Sequence, residues 1–498
     1  MREMPVRSIV AVTAVILAPA LMASAETPGD SEENHPDILL FFQAASSDAK
    51  VAKAALKEIE THWRDGYTPM FIDLARLLRP SARTGVPGVG VEPVISPVKH
   101  IDVQANLQSA RTPVEGLRDP GSPIRRRLLQ FLKKRTGQKF GDDLDGWRRW
   151  MWSLPYEPHP EYAFFKAGVY RNIDPRMAEF LYPDRPAEIR LDEIDWGGVR
   201  VNGVPPLDHP TTIPATDAGW LDDDHVVFGI EINGQSRAYP KRIVSWHEIV
   251  RDTVGGVDIV LVYCTLCGSV IPYESHLGDE QLTFGTSGLV YRSNKLMFDE
   301  ETMTLWSSLY GKPVVGPRVG SGRRLKRFPV VTTTWGEWKD MHPRTAVTSI
   351  DTGFDKDYAE GAAYSDYTGT DRIWFEVPVI DKRLKNKDEV VTLELGGKAL
   401  AVSRKFLRRH GVYHHTLDGE QLVYLTSHEG TTRVYAAGTL RFEGWGPGMV
   451  VYDRDGAWWR VEEDALVAED GTRFPRVATS PSYWFGWYAQ YPETELVR

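Results

Sequence analysis

The spacing of hydrophobic positions changes twice along the chain. From His35 to about Trp152 apolar residues recur every three or four positions, the period of an amphipathic helix. DAKVAKAALKEIETHW, PMFIDLARLL and SPIRRRLLQFLKKRTGQKF show it, the last with Ser122 as a cap and Pro123 in the first turn. DDLDGWRRWMW adds aromatic residues on one side, and a Gly/Pro-rich connector, RTGVPGVGVEPVISPVKH, interrupts the helices. This pattern predicts either a small helical-repeat module for docking or a helical cap on the next domain. From about Ala163 to Leu221 the pattern is irregular, with IDPRMAEFLYP a short helix and IRLDEIDWGGVRVNGVPPLDHP a strand, a turn and a Pro-rich loop. From about Asp223 the period falls to two. HVVFGIEINGQSRAYP alternates around Asn233-Gly234, a hairpin signal, and VGGVDIVLVYC predicts a second hairpin whose last strand ends in Cys264.

The strand-rich part carries an internal similarity. Shifting FGIEINGQSRAYPKRIVSWHEIVRDTVGGVDIVLVY by 163 residues lays it on VTLELGGKALAVSRKFLRRHGVYHHTLDGEQLVYLT. Asn233-Gly234 then falls on Gly396-Gly397, His247 on His410 and Gly256 on Gly419; with small gaps LMFDEETMTLW pairs with MVVYDRDGAWW. The expected fold is α+β: a helical N-terminal region followed by a duplicated β-rich unit, sheet-like or barrel-like. The expected segments are a leader (1–25), a helical region (26–152), an irregular lead-in (153–222), a first β-rich repeat (223–350), a linker (351–388) and a second repeat (389–498). Features common to both repeats read as structural; features of one repeat are candidates for chemistry. Trp306, Trp335 and Trp338 recur and are assigned to the core.

The first residues set the compartment. MREMPVR is basic, SIVAVTAVILAPALM is an apolar run of about 15 residues, and ASA precedes Glu26, the layout of a secretory leader cleaved after Ala25. The run is short for a membrane anchor and contains Pro19. The mature chain is therefore expected to be periplasmic or secreted, without a transmembrane segment. A net charge of −9 speaks against a nucleic-acid surface. Two cysteines in 498 residues cannot make a disulfide scaffold, so they are free for other work.

Those two, Cys264 and Cys267, lie three apart in LVYCTLCGSVIPYES, and in the ungapped overlay they fall on Ser427 and Gly430. A tight turn with a following glycine brings both sulfurs to one side, where turn amides can point at them. Such a knuckle suits one soft metal ion, copper or zinc, as half of a tetrahedral site. A redox dithiol is the competing reading. Against it, the sequence after the motif reads as a strand with Pro272, not as an activating helix. Two buried, inert thiols are the third. Gly268 stands where the axial histidine of a c-type haem would be, and neither a G-x-S-x-G elbow nor a phosphate-binding loop occurs, so haem and nucleotide cofactors are not expected.

RAYP, HEIV, VYCTLCGS, LTFG, LMFDEET, LWS, FP, TTWGEW and HPRT, in that order, resemble a bacterial and archaeal family known only as a domain of unknown function. Its signature is Y-C-P-L-C-G, here Tyr263-Cys264-Thr265-Leu266-Cys267-Gly268. EIDWGGVRVNGVPPLDHP resembles the family's lead-in, so the likeness runs from about Ala163 to Asp351. Thr265 replaces the usual proline and Arg251 the usual asparagine. The resemblance implies no reaction, but its motifs narrow the candidates. WHEIVRD predicts a short helix presenting His247 and Arg251 on one face and Glu248 and Asp252 on the next. His247 is the expected third metal ligand beside Cys264 and Cys267. Glu248, Asp252, Ser287, Met297 and Asp299 are expected around them, with GTSG a possible anion-binding turn and His428-Glu429 simple turn residues. Three functions stay open: a metal- or redox-handling exported protein, a thiol–disulfide protein acting on exported partners, and a non-catalytic binding module. Substrate and partner, a small molecule or an exported protein, are not specified.

Overall fold

The computed structural model describes residues 35–77 and 123–498. The expected leader, the Gly/Pro-rich connector and the Ser122 cap lie outside those residues. Helix Ala49–Thr61 starts where the Asp48 carboxylate accepts from the amides of Lys50 and Val51, and it buries Ala52, Ala55 and Ile59. Helices Thr68–Leu77, Pro123–Thr136, Leu144–Trp152 and Tyr162–Arg171 follow. Phe71, Leu128, Trp147 and Phe165 share one core with Phe298, Leu305 and Val315 of a β-sheet, so the helices cap that sheet. The buried Asp195 carboxylate, held between Arg76 and Arg148, ties two helices to strand Ile194–Trp196. None of the described helices is long and apolar enough to cross a membrane.

Beyond the helices, six small sheets of three to five strands form a six-bladed propeller, with one two-stranded ribbon beside them. The first sheet is built on hairpin Val226–Ile232 and Gln235–Pro240, whose turn residues Asn233 (φ 51°) and Gly234 (φ 75°) both take the left-handed conformation a two-residue hairpin needs. Strand Val331–Thr334 adds antiparallel to one side of it and Ala346–Thr348 parallel to the other. The fourth sheet has the same plan. On hairpin Glu389–Leu395 and Lys398–Ser403, strand Ser480–Tyr483 adds antiparallel and Glu495–Val497 parallel. Each hairpin leads into a seven-residue helix, Lys241–His247 or Arg404–His410. Core hydrogen bonds recur as well. Trp306 and Trp459 donate to Asp299 and Asp453 at 2.7 and 2.9 Å, and Trp338 and Trp487 to Thr345 and Thr494 at 3.0 and 2.9 Å.

Two local expectations are corrected. WHEIVRD is not one helix: it stops at His247, Glu248 turns left-handed (φ 60°), and Ile249–Val254 is a strand. The β-branched run Ile249, Val250, Thr253, Val254, leading into a two-glycine hairpin turn, favours the pleated conformation over the helical one. GTSG likewise belongs to strand Phe284–Tyr291, with a bulge between Thr286 and Leu289, and makes no separate turn.

Candidate functional site

Strand Val257–Cys264 runs through the second sheet between Ile249–Val254 and Ser269–Glu274, and delivers Cys264 to a four-residue turn. The Cys267 amide donates to the Cys264 carbonyl at 3.1 Å, closing the turn. Gly268 follows at φ 64°, where an added Cβ would meet the Tyr483 ring at 3.1 Å, so glycine is required on two counts. Both cysteines are free thiols, each 1% exposed. Tyr483 donates its amide to the Cys267 carbonyl at 2.6 Å, and a Cβ on Gly486 would lie 3.2 Å from the Cys267 sulfur. The second half of the propeller thus packs directly on a turn made by the first.

The two thiols are not equivalent. Burial opposes ionisation of Cys264. Hydrogen bonds from the Cys267 thiol and from the amides of Lys295, Cys267 and Leu266 outweigh it, and hold Cys264 below the ordinary thiol range. Burial, the hydrogen bond to Cys264 and the charge there push Cys267 well above that range. The single Cys267 proton faces two acceptors, the Cys264 sulfur and the Ser293 carbonyl 3.1 Å away, while Asn294 Nδ2 lies 3.5 Å from the Cys267 sulfur. The two sulfurs of one turn are thus shifted in opposite directions.

Of the residues expected around the cysteines, Glu248 alone reaches their turn. Its Oε1 accepts from Thr265 at 3.0 Å and from Tyr364 at 2.9 Å, and its Oε2 meets the Lys295 ammonium. His247 is held elsewhere. Nδ1 lies 2.9 Å from the Pro205 carbonyl and Nε2 2.6 Å from the Tyr358 hydroxyl, which fixes a neutral ring with the proton on Nδ1. Burial brings its pKa down to about 4. The structure does not bring His247 to the sulfurs, and no group of three His, Cys, Asp or Glu side chains placed to hold a metal occurs among the described residues. Asp252 accepts from Arg237 and Tyr239 at 2.7 and 2.8 Å. Ser287 bridges its own bulge, accepting from the Leu289 amide at 3.0 Å. Met297 packs with Phe284 and Trp306, and Asp299 accepts from Trp306 and Thr302. These four support the fold.

Several residues at the site went unread. Lys295 is a buried lysine inside the apolar strand Asn294–Asp299, and burial pushes its amine well below the ordinary range. A charge in that run was the available signal. Tyr364 and Tyr367 come from the segment read as a linker. The Tyr367 hydroxyl donates to the Leu266 carbonyl at 2.7 Å, and its fully buried ring belongs to the apolar cluster holding both cysteines, Tyr483 and Phe485. Residues 351–388 are therefore a strap across the cysteine turn. Their aromatic residues in an otherwise small and polar stretch were the trace.

Residues 201–494 match the profile of the family described as "Protein of unknown function (DUF3179)", which leaves the helical region outside and spans both halves of the propeller. No curated protein and no solved structure matches the chain. With well over half its length matched, the chain belongs to the DUF3179 family.

Proposed function

We propose that the protein is a thiol–disulfide exchange protein, with Cys264 as the attacking sulfur and Cys267 as the resolving one. The observation that carries this reading is the asymmetry of one buried turn: the Cys267 thiol donates to the Ser293 carbonyl at 3.1 Å, which holds its proton, and Cys264 is held below the ordinary thiol range while Cys267 lies well above it. This does for Cys264 what a helix N-terminus does in the usual dithiol site. In the reducing direction the Cys264 thiolate attacks a substrate disulfide; one substrate sulfur leaves as thiolate and takes a proton from solvent. Cys267 then loses its proton, attacks the Cys264 sulfur of the mixed disulfide, and expels the second substrate thiolate. Two electrons pass from the dithiol to the substrate.

Export after cleavage near Ala25 would place the site in an oxidising compartment, and the repeated hydrogen bonds of the two halves support descent from one duplicated unit. A soft-metal site is the second reading. Two sulfurs in one turn favour copper(I) or zinc, with any further ligand supplied by a residue other than His247 in its present place. Equilibrating the full chain in thiol–disulfide buffers and trapping its thiols for mass spectrometry tests the first reading. The expected result is a reversible loss of two thiols as one step, abolished in C264S and in C267S. Two thiols at every poise, with about one equivalent of copper or zinc lost in the double variant, would replace it by the second.

A further inference from the structure

The strap over the thiols says what kind of molecule the site takes. Residues 349–388 hold a single regular element, the short helix Ser365–Thr368, and connections of that length without structure of their own are usually functional. Between residues 359 and 374 only Tyr367 is fully buried; every other position is exposed or half-buried. Tyr367 is thus the one fully buried side chain of the stretch between buried Tyr358 and buried Phe375. Its ring lies in the cysteine cluster against Leu266, Tyr483 and Phe485, and its hydroxyl donates to the Leu266 carbonyl within the C-x-x-C turn itself. The Lys387 ammonium covers the other face, 3.3 Å from the ring centroid, and bonds the Tyr367 carbonyl. Trp374 packs at 4.9 Å, and the Tyr364 hydroxyl reaches Glu248. A short helical turn with an aromatic side chain is therefore already docked on the cysteine turn, supplied by the chain itself.

We propose that the strap is an intramolecular stand-in for the substrate: the site engages a polypeptide whose cysteine is flanked by an aromatic residue, which takes the Tyr367 position when the strap lifts. This rests on the thiol–disulfide reading. A small disulfide lacks the side chain that would hold the cavity open, whereas an aromatic-flanked cysteine replaces Tyr367 ring for ring. The strap is held at its flanks by buried Tyr358 on one side and buried Phe375 and Val377 on the other, and between residues 359 and 374 it carries one buried anchor, so the middle stretch can lift while its ends stay packed.

The test uses the full chain with Tyr367→Ala and, should that variant fold poorly, Lys387→Met, which loosens the strap from outside the core. Two readouts are taken: the rate at which iodoacetamide alkylates Cys264, and the rates at which two cystine peptides are reduced, identical except for Tyr or Gly beside the cysteine. We expect alkylation to rise at least about tenfold in Y367A and less in K387M, as removal of a buried anchor favours the open strap. We also expect the Tyr-flanked peptide to be reduced faster than the Gly-flanked one by every form, and its addition to slow alkylation of Y367A. Faster alkylation with equal rates for the two peptides would overturn the inference and leave the exchange reading standing. Alkylation unchanged in both variants would overturn it too, by showing that the strap does not gate the sulfur. Failure of every form to reduce either peptide, with Cys264 freely alkylated, would instead remove the exchange reading beneath it.

Discussion

The cysteine turn and the turn at Ser427–Thr431 occupy matching places in the two halves, and they use their surroundings in opposite ways. Each joins two strands of a hairpin, each contains a glycine at positive φ (Gly268 at 64°, Gly430 at 90°), and each faces a helix of the other half. Tyr263 pairs with Val270 but Thr426 with Thr432, so the second turn is one residue shorter. Gly430 therefore corresponds to Gly268, and the ungapped match of Cys267 to Gly430 moves to Glu429. At the second turn Ser427 and Thr431 donate to Glu337 at 2.8 and 2.9 Å, and Arg433 links Glu337 to Glu463, which also pairs with Arg476. Each of these four charges, Glu337, Arg433, Glu463 and Arg476, has a fixed partner. At the first turn the cysteines lie among the rings of Tyr367, Tyr483 and Phe485, with the Glu248–Lys295 pair beside the turn. The same strand–turn–strand plan thus carries a charged lock in one place and a buried thiol pair in the other.

Breaking the lock should have the largest effect. Arg433→Met strands Glu337 and Glu463 in a buried setting and should lower unfolding free energy by about 3–5 kcal/mol in chemical denaturation. C264A/C267A, which removes the reactive pair, should cost only about 1–2 kcal/mol by the same measurement. Equal losses would mean that the cysteine turn is structural as well.

The next effect is set by pH. His247 is neutral in the fold, with its pKa brought down to about 4 by burial, whereas the unfolded chain takes up a proton near the ordinary value. Stability from His247 is therefore present above about pH 6.5 and lost as pH falls towards 4, by on the order of 3 kcal/mol. His342 has the opposite sign. Burial opposes its charge, but Glu231 at 3.3 Å and Glu463 at 3.6 Å raise its pKa, with Arg433 and Arg476 the cations on the Glu463 carboxylate. Its contribution is complete below the ordinary histidine range and disappears as pH rises through the raised value. H247N should flatten the acid limb of a stability–pH curve and H342N the alkaline limb.

The smallest effect sharpens the match most. Glu248 takes a left-handed conformation where the second half has Gly411, and Lys295 stands where the register places Met449. A non-glycine residue held at positive φ, paired with a buried lysine, marks a local departure from the frame. Glu248→Gly alone should destabilise by about 1–3 kcal/mol, because Lys295 is left without its carboxylate. Adding Lys295→Met should bring stability back to within about 1 kcal/mol of the parent while slowing thiol chemistry. A double variant no more stable than the single one would contradict that pairing.

What was legible in the sequence followed from local rules. Period located the helices, with Pro123 at the start of one of them, the Asn233-Gly234 and Gly255-Gly256 turns located two hairpins, and the recurring tryptophans located the core. C-x-x-C marked the centre of the site. What was not legible depends on distance along the chain. Lys295 lies 28 residues beyond Cys267 and Tyr367 100, and no short pattern encodes their return to the sulfurs. WHEIVRD was read as one helix because it satisfies helical spacing up to the point where β-branched residues and the glycine turn take over. The strap was read as a spacer because its aromatic residues are scattered without period through a small and polar stretch.

The central claim is that Cys264, not Cys267, is the reactive sulfur. It is tested most directly by peptide-mapped alkylation of the reduced full chain across pH. Both thiols lie under one strap, so the ratio of their rates is free of strap opening. Cys264 should be alkylated first at every pH, with a midpoint below the ordinary thiol range, and Cys267 only after the partner is blocked. Equal rates, or Cys267 reacting first, would contradict the assignment.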